Sequence, residues 1–165
     1  MLFRSALGLA LRAAGQGLRI RIVQFLKPPS LDLGERAALD KAGLPIELEA
    51  LDVEWDVTGS LLDPDVCAKA EAAISATLER LAMDGERQAY DVLILDEIVF
   101  CLAKGLTRIE DIRRLVHRTN RHVEILMTGR GATPELIDLA DLVTEMKNIK
   151  HPFDKGLAAR QGIEY

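Results

Sequence analysis

The chain has 165 residues, 48% hydrophobic and 28% charged, with a net charge of -5, which fits one globular domain with a buried core. An acidic pI of about 5.3 argues against a nucleic-acid partner, and no apolar run is long enough to span a bilayer. Cys67 and Cys101 lie outside any CxxC or Cys/His cluster; they predict reduced, buried thiols of a cytoplasmic protein rather than a disulfide framework or a zinc site.

Residues 1–14 are apolar apart from Ser5 and the arginines Arg4 and Arg12. Arg12 interrupts the run and no cleavage site follows, so the segment is read as a helix over 5–14 rather than a targeting peptide. Ser5 is its candidate cap, and Gly15 or Gly17 its stop. Residues 18–26 alternate and then turn continuously apolar, as a strand does, until Pro28 and Pro29 break the chain. A short helix is expected over 34–42 and a short strand over 46–51, followed by a loop that holds the only tryptophan, Trp55. Asp63 and Pro64 form a strong helix start. Val66, Ala70, Ile74, Leu78 and Leu81 then recur at helical spacing up to Gly85.

Residues 91–97, Asp-Val-Leu-Ile-Leu-Asp-Glu, organise the rest. Four consecutive apolar residues without polar alternation suit a strand buried on both faces of a parallel sheet. Further elements are expected as a helix over 108–118, a strand over 123–127, a helix over 134–139 and a last strand over 142–146. Strands alternating with helices predict a single three-layer α/β domain over 1–165 with a mainly parallel sheet.

Asp96 and Glu97 fall at the C-terminal end of the central strand, where open α/β sheets bind ligands. Two acids there can hold Mg²⁺, orient a water or position a nucleotide. The alternative reading is that they only cap the next turn or form surface ion pairs. Thr128-Gly129-Arg130-Gly131 follows a strand and shares that edge. Its glycines allow close backbone approach and its arginine can pair with phosphate; a tight turn with a solvated arginine is the other reading. Trp55 either packs in the core or stacks on a flat ligand. Arg108, Arg113, Arg114, Arg118 and Arg121 read as a solvated basic face. His151 has no second ligand at a metal spacing and is read as a hydrogen-bonding histidine.

Several stretches occur in a telling order: Ala6 to Gly15, Ile22-Val23-Gln24-Phe25-Leu26-Lys27, Leu93-Ile94-Leu95-Asp96-Glu97, Thr128-Gly129-Arg130-Gly131-Ala132, Asp141 to Met146, and Lys150-His151-Pro152-Phe153-Asp154-Lys155-Gly156 running on to Gly162-Ile163-Glu164-Tyr165. Together they resemble the ATP:corrinoid adenosyltransferases of the bacterial cobalamin pathway, the branch built on a P-loop NTPase fold. The resemblance covers almost the whole chain. It implies transfer of the 5′-deoxyadenosyl group of ATP to the cobalt of a reduced corrinoid, in adenosylcobalamin biosynthesis or salvage. It assigns catalysis to Glu97 and Asp96, a Mg²⁺ ligand to Glu97, ATP contacts to Arg12 and Arg130, and corrinoid contact to Trp55. Val53 stands where the family often has an aromatic residue. The resemblance also implies a reductant that supplies Co(I), a homodimer and a cytoplasmic location.

One departure stands out. The family's glycine-rich phosphate loop, ending in Gly-Lys-Thr-Thr, aligns with Met1, Leu2, Phe3 and Arg4. The expected fold therefore lacks that loop, with its lysine and Mg²⁺-binding hydroxyl, and the strand before it. Arg4 brings one side chain and no ring of amides, so the chain as given is expected to catalyse poorly. Three readings remain. The first is an adenosyltransferase with further residues upstream, the second a non-catalytic corrinoid- or nucleotide-binding remnant. The third, another P-loop ATPase, is opposed by the tail from Lys150 to Tyr165.

Overall fold

The alternation of apolar strands with helices carries into the structure, a computed structural model that describes residues 2–55, 59–152 and 156–163. In chain order the elements are α1 (Leu2–Ala14), β1 (Ile20–Gln24), α2 (Gly34–Ala42), β2 (Ile46–Ala50), a 3₁₀ turn (Ser60–Leu62), α3 (Pro64–Glu86), β3 (Val92–Asp96), α4 (Ile98–Ala103), α5 (Ile109–Arg118), β4 (Glu124–Met127) and α6 (Pro134–Leu139). The four strands form one sheet in the order β2-β1-β3-β4, with every pairing parallel. All five residues of β3 are buried and it is an interior strand, as the unbroken apolar run requires.

The sheet has helices on both faces. Ile20, Ile22, Val92 and Ile94 point toward α1 and α2, packing with Ala6, Ala10 and Leu39. Val23, Phe25, Leu93 and Leu95 point the other way, against Ala70, Ile74 and Leu78 of α3 and Ile112 of α5. The period-two alternation of a strand divides each of β1 and β3 between these two cores. The result is the three-layer α/β architecture of P-loop-like domains.

Helix starts follow local chemistry. The Asp63 carboxylate accepts from the amides of Asp65 at 2.9 Å and Val66 at 3.3 Å, with Pro64 in the first turn. Thr133 and Pro134 start α6 in the same way, the Thr133 hydroxyl accepting from Leu136 N at 3.3 Å. Both pairs supply an oxygen for an orphan amide and a residue that needs none. The basic stretch is not simply solvated, because Arg118 pairs with Glu79 and Glu86, and Arg114 with Asp111.

The structure departs from the sequence reading in four places. Helix α4 is an additional element: the apolar run Ile98–Ala103 continues from β3 with no cap, and a left-handed residue, Glu97, turns the chain into it. Residues 142–146 form no strand. β4 is an edge strand, and among the described residues no segment pairs with its outer side. A strand without a neighbour leaves its amides and carbonyls unpaired. Leu142 is 86% exposed, and the segment passes the first turn of α1, where Ser5 Oγ donates to Met146 Sδ at 4.0 Å. Cys67 is half-buried, whereas Cys101 is fully buried. Helix α1 begins at Leu2 rather than Ser5. The tail residues Phe153, Asp154, Lys155, Glu164 and Tyr165 lie outside the described residues. Among the described residues no helix is long and apolar enough to cross a membrane.

Chain path sets where a ligand can sit. From β1 the chain moves outward to β2, then returns through α3 to β3 on the other side of β1. The strand order therefore reverses between β1 and β3. The crevice beyond the C-terminal ends of those two strands is the topological switch point where open parallel sheets take ligands.

Candidate active site

The residues that follow β1 and β3 meet at this switch point. Asp96, the last residue of β3, is 0% exposed. Its Oδ2 accepts from Lys27 Nζ at 2.6 Å, and its Oδ1 accepts from Thr128 Oγ1 at 2.7 Å. Thr128 Oγ1 in turn accepts from the amide of Glu97 at 3.2 Å. A bridge of side chains thus joins the ends of β1, β3 and β4. A buried carboxylate without such partners would be strongly disfavoured. The Lys27 ammonium also lies 4.6 Å from the centre of the Phe3 ring. The N-terminal turn of α1, the positive end of its dipole, is therefore at the same edge.

Lys27 is itself held by a second polar cluster. Gln24 is fully buried; its amide donates to Glu35 Oε1 at 3.3 Å and its Oε1 accepts from Arg36 Nε at 2.9 Å. Arg36 then donates to the carbonyls of Lys27 at 2.8 Å, Pro28 at 3.0 Å and Leu31 at 3.0 Å. One planar guanidinium fixes the loop that carries Lys27, which a flexible ammonium could not do.

Glu97 differs from its neighbour in every respect. It is half-buried, its backbone is left-handed with φ 68, and among the described residues no side chain hydrogen-bonds or ion-pairs with its carboxylate. Burial, and then the charge of Asp96, raise its pKa above the ordinary value of 4.5, while Lys27 and Arg130 oppose the rise. Such a carboxylate gains from an incoming cation. The neighbouring Cys101 thiol is pushed up to about 12, by burial first and by Glu97 second, which leaves it an inert core thiol.

The turn after β4 is built on Gly129. Its φ is 142, and an added Cβ would stand 2.7 Å from Phe100 N and 2.9 Å from Val99 Cβ. Only glycine lets α4 start against this backbone, where Val99 N donates to Thr128 O at 3.1 Å. Arg130 comes next, exposed and close enough to act on Glu97.

The parallel pairing of β3 and β4 puts Asp96, Glu97 and Arg130 at one edge. Trp55 follows β2, whose C-terminal end shares that edge; it is half-buried and packs on the core beneath. Arg12 is exposed in the last turn of α1. It is nine residues from Phe3, about 13 Å along the helix axis, and the structure does not bring it to the Asp96 cluster. The sequence reading gave no role to Thr128 by itself, or to Lys27, Gln24 and Arg36. A lysine just beyond one buried strand and a hydroxyl just beyond another were the available signals.

A three-layer parallel fold with two acids beside its switch point defines an open α/β domain of the class that takes ligands at its strand ends. Comparison narrows this. Residues 4–165 match the family described as ATP:corrinoid adenosyltransferase BtuR/CobO/CobP, and the chain belongs to that family. It is 30% identical over 161 residues to the corrinoid adenosyltransferase CobA of Salmonella typhimurium, covering 98% of this chain and 78% of that protein. It is 31% identical to the corrinoid adenosyltransferase of Pseudomonas aeruginosa, covering 98% of this chain and 76% of the relative. A corrinoid adenosyltransferase from a Sinorhizobium species is 32% identical, with coverage of 96% and 72%.

The raised pKa of Glu97 has a signed consequence. Below the ordinary carboxylate pKa of 4.5, Glu97 is protonated in both folded and unfolded chains and contributes no pH dependence. As pH rises, the unfolded chain releases its proton first, so stability falls until the folded-state pKa is passed. Glu97→Gln is therefore expected to raise the melting temperature at a pH of about 7, with the gain vanishing well below the ordinary carboxylate pKa. Equal shifts at both pH values would contradict the buried-charge account. Gly129→Ala is expected to cost at least about 2 kcal/mol in chemical denaturation, from backbone strain and the clash with α4; an unchanged midpoint would show that the turn can relax.

Proposed function

We propose that this chain transfers the 5′-deoxyadenosyl group of ATP to the cobalt of a reduced corrinoid, in adenosylcobalamin biosynthesis or salvage, using one domain that spans residues 1–165. The observation that carries the proposal is the open Glu97 carboxylate beside the Lys27–Asp96–Thr128 bridge. It sits at the switch point of a chain that matches corrinoid adenosyltransferases over nearly its full length. That match favours the catalytic reading over a binding remnant.

In this reaction the electron pair of Co(I) forms a bond to the 5′ carbon, and the carbon–oxygen bond breaks with its pair leaving on the triphosphate. No proton needs to move at the reacting centre. The protein's task is to align cobalt and carbon and to meet the charge on the leaving group. Glu97 and Arg130 would meet that group at the switch-point edge, with the N-terminal turn of α1, whose Phe3 lies against Lys27, beside it. Trp55 offers an aromatic face for the corrinoid. Val53 is buried in the core, so Trp55 carries that role without it. Arg12 would reach ATP only through a part of the nucleotide that extends along α1.

Mg²⁺ suits the donors present. Asp96 has both oxygens engaged, and the described residues contain no cluster of three or more metal-ligating side chains. Of the two acids at the end of β3, Glu97 is the one whose carboxylate no described side chain engages. One carboxylate with phosphate oxygens and water is an ordinary Mg²⁺ environment, and the ion would supply charge to the departing triphosphate. We further assign the protein to the cytoplasm, as a homodimer served by a separate reductant that delivers Co(I).

The test is an anaerobic assay that follows the spectral change from Co(I) corrinoid to the adenosylated product. It compares residues 1–165, the same chain with a glycine-rich Gly-Lys-Thr-Thr loop ahead of Ser5, and the extended chain carrying Glu97→Ala. The extended chain is expected to turn over faster by orders of magnitude, and Glu97→Ala to lower its rate about 10²–10³-fold. A rate untouched by Glu97→Ala would remove Glu97 from the mechanism. An extended chain without turnover would return the choice to a binding remnant.

A further inference from the structure

We propose that Thr128 is the positioning residue for Glu97: its hydroxyl holds the left-handed turn that aims the Glu97 carboxylate into the nucleotide crevice. The inference rests on the reading of Glu97 as the open carboxylate of that crevice. Glu97 is a non-glycine residue at φ 68, a backbone region that costs a side-chain-bearing residue on the order of 1–3 kcal/mol and persists only where the surroundings enforce it.

On the carbonyl side Glu97 O accepts from Cys101 N at 3.1 Å, and on the amide side the enforcing contact is a hydroxyl. Thr128 Oγ1 donates to Asp96 Oδ1 at 2.7 Å and accepts from Glu97 N at 3.2 Å. A hydroxyl has one proton and two lone pairs. The Asp96 carboxylate, paired with Lys27, accepts, so the Thr128 hydroxyl points its proton at Asp96 Oδ1. The lone pairs of Thr128 are then left to face the Glu97 amide. The direction of both bonds follows from the pairing of Asp96 with Lys27.

Thr128 cannot drift to satisfy other partners. Its own amide donates to Leu95 O at 3.0 Å, and its carbonyl accepts from Val99 N at 3.1 Å. Its backbone is thus tied to both sides of the Glu97 turn, to β3 before it and to α4 after it. Its side chain is buried, with 9% of the residue exposed, so water is a poor substitute for the hydroxyl. The conformation of Glu97 is consequently written into a residue more than thirty positions away in the chain.

The hydroxyl is separable from the shape of the side chain. Thr128→Val keeps the shape and removes both hydrogen bonds, and Thr128→Ser keeps the hydroxyl and removes a methyl group. The first measurement needs no ligand: hydrogen exchange of the Glu97 amide by NMR. Exchange is expected to quicken more than about tenfold in Thr128→Val and to stay near the parent rate in Thr128→Ser. The second is the affinity for a fluorescent ATP analogue with Mg²⁺, in the parent and in the Glu97→Gln background. Thr128→Val is expected to weaken binding about tenfold in the parent and to have no further effect once Glu97 is glutamine, because coupled residues do not add. Thermal melts check that each variant is folded, and Thr128→Ala replaces Thr128→Val if that protein does not fold. Unchanged exchange in the hydroxyl-free variant, or losses from the two sites that multiply, would overturn the proposal. A parent protein that binds no nucleotide would instead sink the reading of the crevice, while the exchange result would still decide what holds Glu97.

Discussion

The ion pair between half-buried Lys27 and fully buried Asp96 is the constraint on which this edge of the molecule depends. Asp96 ends a strand whose five residues are all buried, so its charge cannot be solvated by water. It is tolerated because an ammonium and a hydroxyl meet its two oxygens. Removing one partner of such a pair typically costs about 3–5 kcal/mol, since the other charge is stranded. The demand propagates. Lys27 must be held in place, so Arg36 and buried Gln24 pin its loop. Thr128 must present its hydroxyl, so Gly129 lets α4 close over the turn.

This arrangement divides labour between two adjacent carboxylates. Asp96 has each oxygen in the bridge, one on Lys27 and one on Thr128. Glu97, one residue on, turns away in a left-handed conformation, and no described side chain pairs with it. Burial and the Asp96 charge raise its pKa, so its ionised form is less favourable than in water and gains from a nearby cation. A stabilising neighbour would quiet it and cost function, the usual trade between stability and activity. In the adenosyl transfer proposed for this chain, that is the form in which the fold can act on a polyphosphate without performing acid–base chemistry.

Local patterns made the fold legible. The apolar run Val92–Leu95 gave the interior strand, Asp63-Pro64 gave the start of α3, and the strand–helix alternation gave the parallel sheet. The shared edge of Asp96, Glu97 and Arg130 followed from parallel geometry alone. Contacts between distant residues were not legible: Lys27 and Thr128 are 69 and 32 positions from Asp96, and no local pattern ties them to it. Helix α4 was hidden because its residues continue the apolar run of β3 and carry no cap. Residues 142–146 read as a strand because their composition suits one, but strand formation needs a neighbour and none is present among the described residues. Arg12 was placed by family likeness, and helix geometry then set it at the far end of α1.

The central claim is that Asp96 stays in its bridge while Glu97 alone meets the metal–nucleotide. A crystal structure of the protein with Mg²⁺ and a non-transferable ATP analogue tests it most directly. The account expects the ion at the Glu97 carboxylate, with Lys27 and Thr128 still bonded to Asp96. An ion coordinated by Asp96, with the Lys27 ammonium swung away, would contradict it.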